Sequence, residues 1–206
     1  LSPDSPQAVA FRQQHSREVR VRYIGVWDTV GALGLPFPKI PFSSDYYQFH
    51  DTGLSRIVDE ACHALAIDEH RKLFAPTLWT QKPEDTVLEQ RWFVGAHSDV
   101  GGGYKDDRLC GPSLVWLQAR ARAAGLAMHK HATVAPDYLA CPVHDSFREF
   151  MSGIYRALRL GREYHRPVGN TLNETIDSSV YERRKADPAY RPPGLEAFLA
   201  RQGDVP

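Results

Sequence analysis

The 206-residue chain is long enough to form one domain with a sizeable core. Its 25 basic and 25 acidic residues leave no formal net charge, which argues against a protein that binds the phosphate backbone of nucleic acids. Three cysteines without a CxxC spacing exclude the usual signatures of a disulfide framework and of a structural zinc site.

The N-terminal region shows neither a membrane-spanning run nor the pattern of a signal peptide. The chain begins with Leu1 rather than methionine, which we interpret as a sign of a fragment or a processed product. We therefore expect synthesis in the cytoplasm and leave the final location open.

The first predicted element is a strand. Residues 19–27 (VRVRYIGVW) alternate between polar and apolar and then become continuously apolar, as is typical of a strand entering a buried parallel sheet. The strand leads into a turn that starts at Asp28. The proline- and aromatic-rich residues 34–49 that follow predict a loop wrapped over the domain.

The next segment predicts a helix capped by Asp51 or Thr52. We expect it to continue through residues 68–71 (DEHR) toward Pro76. His63 would lie beside its apolar face as a packed, hydrogen-bonded histidine. That face consists of residues three or four apart: Leu54, Ile57, Val58, Ala61 and Leu65.

A second strand is predicted over residues 88–96 (LEQRWFVGA), followed by residues 97–104 (HSDVGGGY). The glycine run 101–103 would let the backbone bend and pass close to a site. Pro112 and Gly125 stand where a helix would begin and end.

A further helix is predicted from Asp145 to Leu160. It combines an apolar stripe with arginines, a pattern that fits either packing on the sheet or contact with an anionic membrane surface. We favour packing and keep peripheral membrane contact as an alternative. The arginines are Arg148, Arg156, Arg159 and Arg162.

The order of these elements predicts an α/β fold with a mainly parallel sheet flanked by helices. Only two strong strands are visible, which is few for such a sheet, so we expect the second half of a larger domain. We treat residues 1–206 as one partial domain, with 127–206 as a helical, proline-rich C-terminal extension.

Two ionisable residues follow strands, Asp28 after the first and His97 after the second. In open α/β sheets, functional side chains gather beyond the carboxyl ends of the strands. A carboxylate and an imidazole there suit the orienting acid and the general base of a serine hydrolase, and their chain order agrees with that class. Alternatively, Asp28 closes a turn and His97 is a hydrogen-bonded surface histidine.

Asp99 belongs to the same neighbourhood. It could support His97 or bind a cation, although a structural turn residue is the favoured interpretation. Asp28, His97 and Asp99 could together hold a hard metal ion, but no compact ligand motif supports that alternative.

Three long motifs carry a family resemblance. In order, GVWDTVGALG, HALAIDEHRKLFAPTLW and WFVGAHSDVGGGY resemble the α/β-hydrolase domain family that includes type VI secretion phospholipase effectors. The resemblance spans roughly residues 19–126, with a weaker echo at 176–193. It implies an α/β-hydrolase-like domain in which a Ser-Asp-His triad hydrolyses acyl esters, often of phospholipids, without a cofactor or a catalytic metal.

The chain departs from the family pattern at the nucleophile. Relatives carry a Gly-Phe-Ser-Arg-Gly elbow upstream of GVWDTVG, and none is present in these 206 residues. The most similar segment is the one around Ser55, but there Ile57 replaces the second glycine and no predicted strand precedes the serine. Ser98 and Ser113 also lack the pair of flanking glycines. We therefore expect the serine outside this chain.

A second departure concerns a C-terminal His-x-Ser-Val element of many relatives, which here begins with Asp177. We favour His97 as the base.

The implied partners are a lipid or other acyl-ester substrate and, for a secreted effector delivered into a target cell, an immunity protein. The rival hypothesis is a truncated or inactive relative that serves as a binding module.

Overall fold

Four parallel strands form the sheet of the computed structural model, which describes residue 2 and residues 4–31 and 52–203. The predicted loop over 34–49 and the predicted cap Asp51 lie outside the described residues. Within the sheet, spatial order follows chain order. The strands are β1 (Ile24–Trp27), β2 (Glu60–Ala66), β3 (Val87–Phe93) and β4 (Glu174–Ile176).

Helices surround this sheet, which confirms the predicted α/β class with a mainly parallel sheet. Among the described residues, no helix has the length and apolar character needed to span a membrane. The helices are α1 (Pro6–His15), α2 (His97–Gly101), α3 (Gly111–Ala123), α4 (Ser146–Glu149), α5 (Ile154–Leu158), α6 (Ser178–Ala186) and α7 (Pro193–Gln202). Short 3-10 turns occur at Lys72–Phe74, Arg108–Cys110, Tyr138–Ala140 and Phe150–Gly153.

The predicted helix after residue 52 was wrong, because its second half is the strand β2. All residues of β2 after Glu60 are buried, since β2 lies between β1 and β3 and both its faces are covered. A short run of apolar residues has no polar face, so its periodicity cannot distinguish a buried strand from a helix. Residues 68–71 then form the turn and loop that leave β2.

Alternate residues of the central strands face two separate layers of the core, as strand geometry requires. On one face, Leu65 and Trp92 pack with Val180 of α6 and Leu195 of α7. On the other face, a second cluster joins the sheet to α2 and α3. Its members are Cys62, Ala64, Ala66, Phe93, Val100, Trp116 and Leu117.

Two strands were recognisable in the sequence, and the described residues form four. The first is shorter than predicted, with regular pairing only over Ile24–Trp27 and an isolated bridge at Val21. The additional strands are β2 and the three-residue β4. The C-terminal residues thus complete the sheet through β4 and the core through Val168. The division at residue 127 stays a prediction.

The predicted helix from Asp145 to Leu160 is interrupted. Ser152 and Gly153 have left-handed backbone angles, with φ of 55° and 86°, which end one helical segment before α5 begins. The predicted helix bounded by Pro112 and Gly125 is confirmed as α3.

Candidate active site

Asp28 and His97 lie at the same edge of the sheet. Asp28 directly follows β1, and His97 is the first residue of α2, separated by three residues from the end of β3. Because the strands are parallel, their carboxyl ends meet at one edge. The Nδ1 of His97 lies 2.6 Å from Oδ2 of Asp28, so the two residues selected from the sequence form a hydrogen-bonded pair.

Arg166 holds Asp28 in its charged form. The carboxyl is fully buried, and both its oxygens accept hydrogen bonds from the guanidinium, one of them at 2.9 Å. Burial alone would raise the pKa of Asp28, but the Arg166 charge and the hydrogen bonds from His97, Arg166 and the Ala66 N–H outweigh it and hold the pKa well below its usual range. An ionised Asp28 can only accept, so Nδ1 of His97 carries a proton, and in the neutral ring Nε2 then presents a lone pair.

The backbone around Asp28 is held in an unusual conformation. Its φ of 39° lies in the left-handed region, which non-glycine residues adopt rarely and often at functional sites. The Asp28 N–H donates to the Ala64 carbonyl at 2.7 Å, which continues the β1–β2 pairing. The next residue, Thr29, donates its N–H to Nε2 of His63 at 3.0 Å.

His63 is a packed, hydrogen-bonded histidine, as predicted, although it lies on β2 rather than on a helix. It is fully buried, and Trp79 contacts its ring edge-on at 5.5 Å between centroids. Burial lowers the pKa of His63 to about 4. The ring is therefore neutral at pH 7, which allows it to accept the Thr29 N–H.

Glu69 anchors the backbone of His97. Its buried carboxylate accepts the His97 N–H at 3.2 Å, the Nε of Arg71 at 2.8 Å and the hydroxyl of Ser146 at 2.9 Å. Burial by itself would raise the pKa of Glu69, but the hydrogen bonds and the charge of Arg71 lower it. The Glu69 carboxylate thus holds the main chain at the start of α2.

Asp99 forms a second aspartate–histidine pair, which the sequence did not suggest. It accepts the Ala96 N–H at 2.9 Å and Nδ1 of His144 at 2.6 Å, and Tyr104 stacks on the His144 ring at 3.7 Å. Gly95 is required beside it, because φ is 118° there and a Cβ would come within 2.4 Å of the Asp99 Cβ. Asp99 therefore stabilises the strand-to-helix turn that presents the neighbouring imidazole.

The glycine run serves bending rather than close approach. Gly102 and Gly103 have φ of 82° and 121°, and a Cβ at either position would meet nothing within 4 Å.

The possible metal cluster of Asp28, His97 and Asp99 is not formed, since among the described residues these three are not a group with converging ligand atoms. Arg166 and His144 already bind the carboxylate oxygens of Asp28 and Asp99 that such an ion would need as ligands.

Neither Ser55 nor Ser113 is placed to act as the nucleophile, and Ser98 is the residue after His97 at the start of α2. Ser55 lies in a loop that precedes β2, at the amino end of a strand whose carboxyl end contacts Asp28. Seven strand residues separate those ends, which is about 20 Å. Ser113 donates its hydroxyl to the Val100 carbonyl at 2.7 Å and is fully buried, so it has a structural role.

The fold places the chain among α/β proteins with a parallel sheet, and the aspartate–histidine pair lies at the carboxyl edge of that sheet. The chain belongs to the catalytic domain family of Tle1-like phospholipase effectors of the type VI secretion system, whose model matches residues 3–120, more than half of the chain. No curated protein and no solved structure matches it. The family resemblance seen in the sequence is thereby confirmed.

Sequence reasoning missed Arg166 and Glu69. Glu69 follows a buried strand, and that position would have indicated a site residue if β2 had been recognised. Arg166 lies 138 residues from Asp28 along the chain, and no local pattern distinguishes it from other arginines.

Replacing Arg166 should destabilise the domain by an amount that depends on pH. Arg166→Met leaves Asp28 buried without its counter-ion, which should cost about 3–5 kcal/mol of unfolding free energy at pH 7. The loss should shrink as pH falls toward about 4, because protonation of Asp28 removes the unpaired charge. Urea unfolding at both pH values measures it, with the exposed Arg122→Met as control. A loss that does not change with pH would contradict the assigned ion pair.

His63 should make stability depend on pH in a different window. Its folded pKa of about 4 lies below the unfolded value near 6.5, so the unfolded chain binds the proton more readily between these values. Stability from this residue is present above about pH 6.5 and falls by roughly 3 kcal/mol as pH drops to 4. Between pH 4 and about 6.5, the free energy of unfolding measured with urea should change less with pH in His63→Gln than in the wild type. The exposed His129→Gln should show the same pH dependence as the wild type.

Proposed function

We propose that this chain supplies the acid, Asp28, and the base, His97, of a serine phospholipase that hydrolyses acyl esters. The carrying observation is the 2.6 Å contact between a fully buried, ionised carboxylate and an imidazole whose side chain is 31% exposed. Family membership supports a lipase-like activity, since the family is that of phospholipase effector catalytic domains. The nucleophilic serine, in this proposal, lies outside these 206 residues.

In the proposed mechanism, the serine hydroxyl attacks the ester carbonyl while Nε2 of His97 takes its proton. The tetrahedral intermediate collapses to an acyl-enzyme, and His97 passes the proton to the departing alcohol. Water then attacks the acyl-enzyme and loses a proton to the same nitrogen, and His97 returns that proton to the serine oxygen as the fatty acid leaves. Asp28 keeps the proton on Nδ1 and stabilises the imidazolium that forms in each half-reaction.

Aromatic side chains beside the imidazole support a lipid substrate. The Phe74 ring contacts His97 edge-on at 5.2 Å between centroids, and Phe150 contacts Phe74 at 5.8 Å. Arg71 lies over the Phe74 ring at 3.5 Å. Arg71 is buried and its charge is paired with Glu69, so the feature that supports a lipid substrate is the apolar wall, which suits an acyl chain.

The activity test requires the protein that carries this chain together with the serine-bearing segment. His97→Ala should lower kcat on phospholipid vesicles by about 10³–10⁶, because the serine loses its general base. The imidazole is partly exposed, so this variant should fold, which circular dichroism would verify. The matched control is the exposed His129→Ala, with activity equal to the wild type.

Full activity of folded His97→Ala would contradict the assignment of the base. Fluorophosphonate labelling distinguishes the hydrolase from the rival hypothesis of a binding module. With an intact triad, the probe should modify the serine that lies outside these 206 residues. A protein that binds lipid but is not modified would be a binding module. The 206-residue chain alone should not label, and labelling at Ser55 would overturn the proposed location of the nucleophile.

We also propose that an exposed basic surface beside the site contacts the membrane. Phe147 and Tyr155 of the interrupted helix pack inward, which agrees with the packing interpretation of its apolar stripe. Ile154 and Leu160, however, are 54% and 82% exposed. Next to them are three exposed arginines: Arg156, Arg159 and Arg162. Such a combination suits an anionic bilayer surface.

Neutralising these three arginines to glutamine should weaken binding to anionic vesicles about 100-fold, at about 1 kcal/mol for each charge. Co-sedimentation with vesicles of anionic phospholipid measures the change, and zwitterionic vesicles should show little. The matched control neutralises three exposed arginines elsewhere, Arg17, Arg22 and Arg122. Equal losses in the two triple variants would refute a localised membrane surface. An immunity protein stays a prediction from family membership.

A further inference from the structure

Two histidines and a glutamate converge outside the catalytic pair. His70, in the loop after β2, and Glu163 and His165, in the segment before β4, offer one possible ligand atom each, and these atoms all lie within 4.8 Å of one another. The two imidazole rings meet edge-on at 5.2 Å between centroids. Ninety or more residues separate the loop from the segment, so the cluster is a product of the fold.

Hydrogen bonds to the main chain orient His70 as a ligand. Its Nδ1 lies 3.2 Å from the Tyr164 carbonyl, and since a carbonyl only accepts, Nδ1 carries the proton. In the neutral ring, Nε2 then has a free lone pair. Metal-binding histidines are commonly fixed in this way, with the second nitrogen donating to a carbonyl or a carboxylate. The Tyr164 N–H in turn donates to the His70 carbonyl at 2.9 Å, which holds the two segments together.

We propose that His70, Glu163 and His165 bind a divalent transition-metal ion, with Zn²⁺ as the best match. Two imidazoles and a carboxylate are a ligand set that zinc accepts, with water completing a tetrahedron. Ligand atoms at about 2.0–2.1 Å from zinc are about 3.4 Å apart, so the cluster must contract. Glu163 and His165 are exposed and can rotate inward, while the half-buried His70 supplies the fixed ligand.

The position of the site gives metal binding a structural consequence. Arg166 directly follows His165, is buried, and binds Asp28 together with the Ala66 carbonyl. A metal that joins His70 to His165 would hold the segment containing Arg166 against the end of β2. The ion would therefore stabilise the environment of Asp28 without touching a substrate. This inference does not depend on the proposed hydrolase activity.

Zinc titration of the chelator-treated chain tests the proposal, with a chromophoric chelator as competitor. The wild type should bind one equivalent of Zn²⁺, and His165→Ala and His70→Ala should each weaken binding at least about 100-fold. At a hundredfold excess of zinc over Kd, the wild-type Tm should rise by about 5 °C or more. Folded His165→Ala should show no such rise.

The matched control replaces the exposed histidines His129 and His131 with alanine and should leave zinc affinity unchanged. Substituting Co²⁺ should give the intense visible absorption of a tetrahedral site in the wild type and lose it in His165→Ala. Absence of one-equivalent binding, or equal affinity in His165→Ala, would overturn the proposal. Loss of binding only in the control variant would assign the metal to His129 and His131 and would overturn it as well.

Discussion

The buried ion pair between Arg166 and Asp28 joins three parts of the chain that are distant in sequence. Besides Asp28 after β1, Arg166 contacts the carbonyl of Ala66 at the end of β2 and that of Phe74 beyond it. A buried ion pair adds little net stability, because desolvation offsets most of the attraction, but removing one partner leaves a charge without compensation. The site edge can therefore form only when residues near 166 are in place.

This constraint also sets the chemistry of the neighbouring imidazole. An aspartate buried without a counter-ion would take up a proton and could no longer define the histidine tautomer. With Arg166 present, Asp28 stays ionised and accepts from Nδ1 of His97. Glu69 acts in parallel on the main chain, since its carboxylate binds the His97 N–H and is itself neutralised by Arg71. Two buried carboxylates, each paired with an arginine, thus orient one partly exposed imidazole.

The segment before β4 links several features of the molecule. It contains Arg166, which determines the state of Asp28, and two of the three residues proposed to bind zinc. The exposed arginines proposed to contact a membrane precede it directly. Ordering this segment by a metal or a bilayer would act on the proposed catalytic pair through the guanidinium of Arg166. Asp99 of α2 also binds His144, so α2 is held by a second buried carboxylate contact besides that of Glu69.

The sequence alone determined the features whose physical cause is local. The apolar run before Asp28, the strand before His97 and the bounds of α3 follow from patterning and from proline and glycine preferences. It also brought Asp28 and His97 together, because residues after parallel strands share an edge. Only the tertiary structure decided that residues 60–66 are a strand, since burial on both faces removes the periodicity that would reveal it. Arg166, Glu69 and the cluster around His70 likewise depend on contacts across many residues, which chain folding creates and no local pattern encodes.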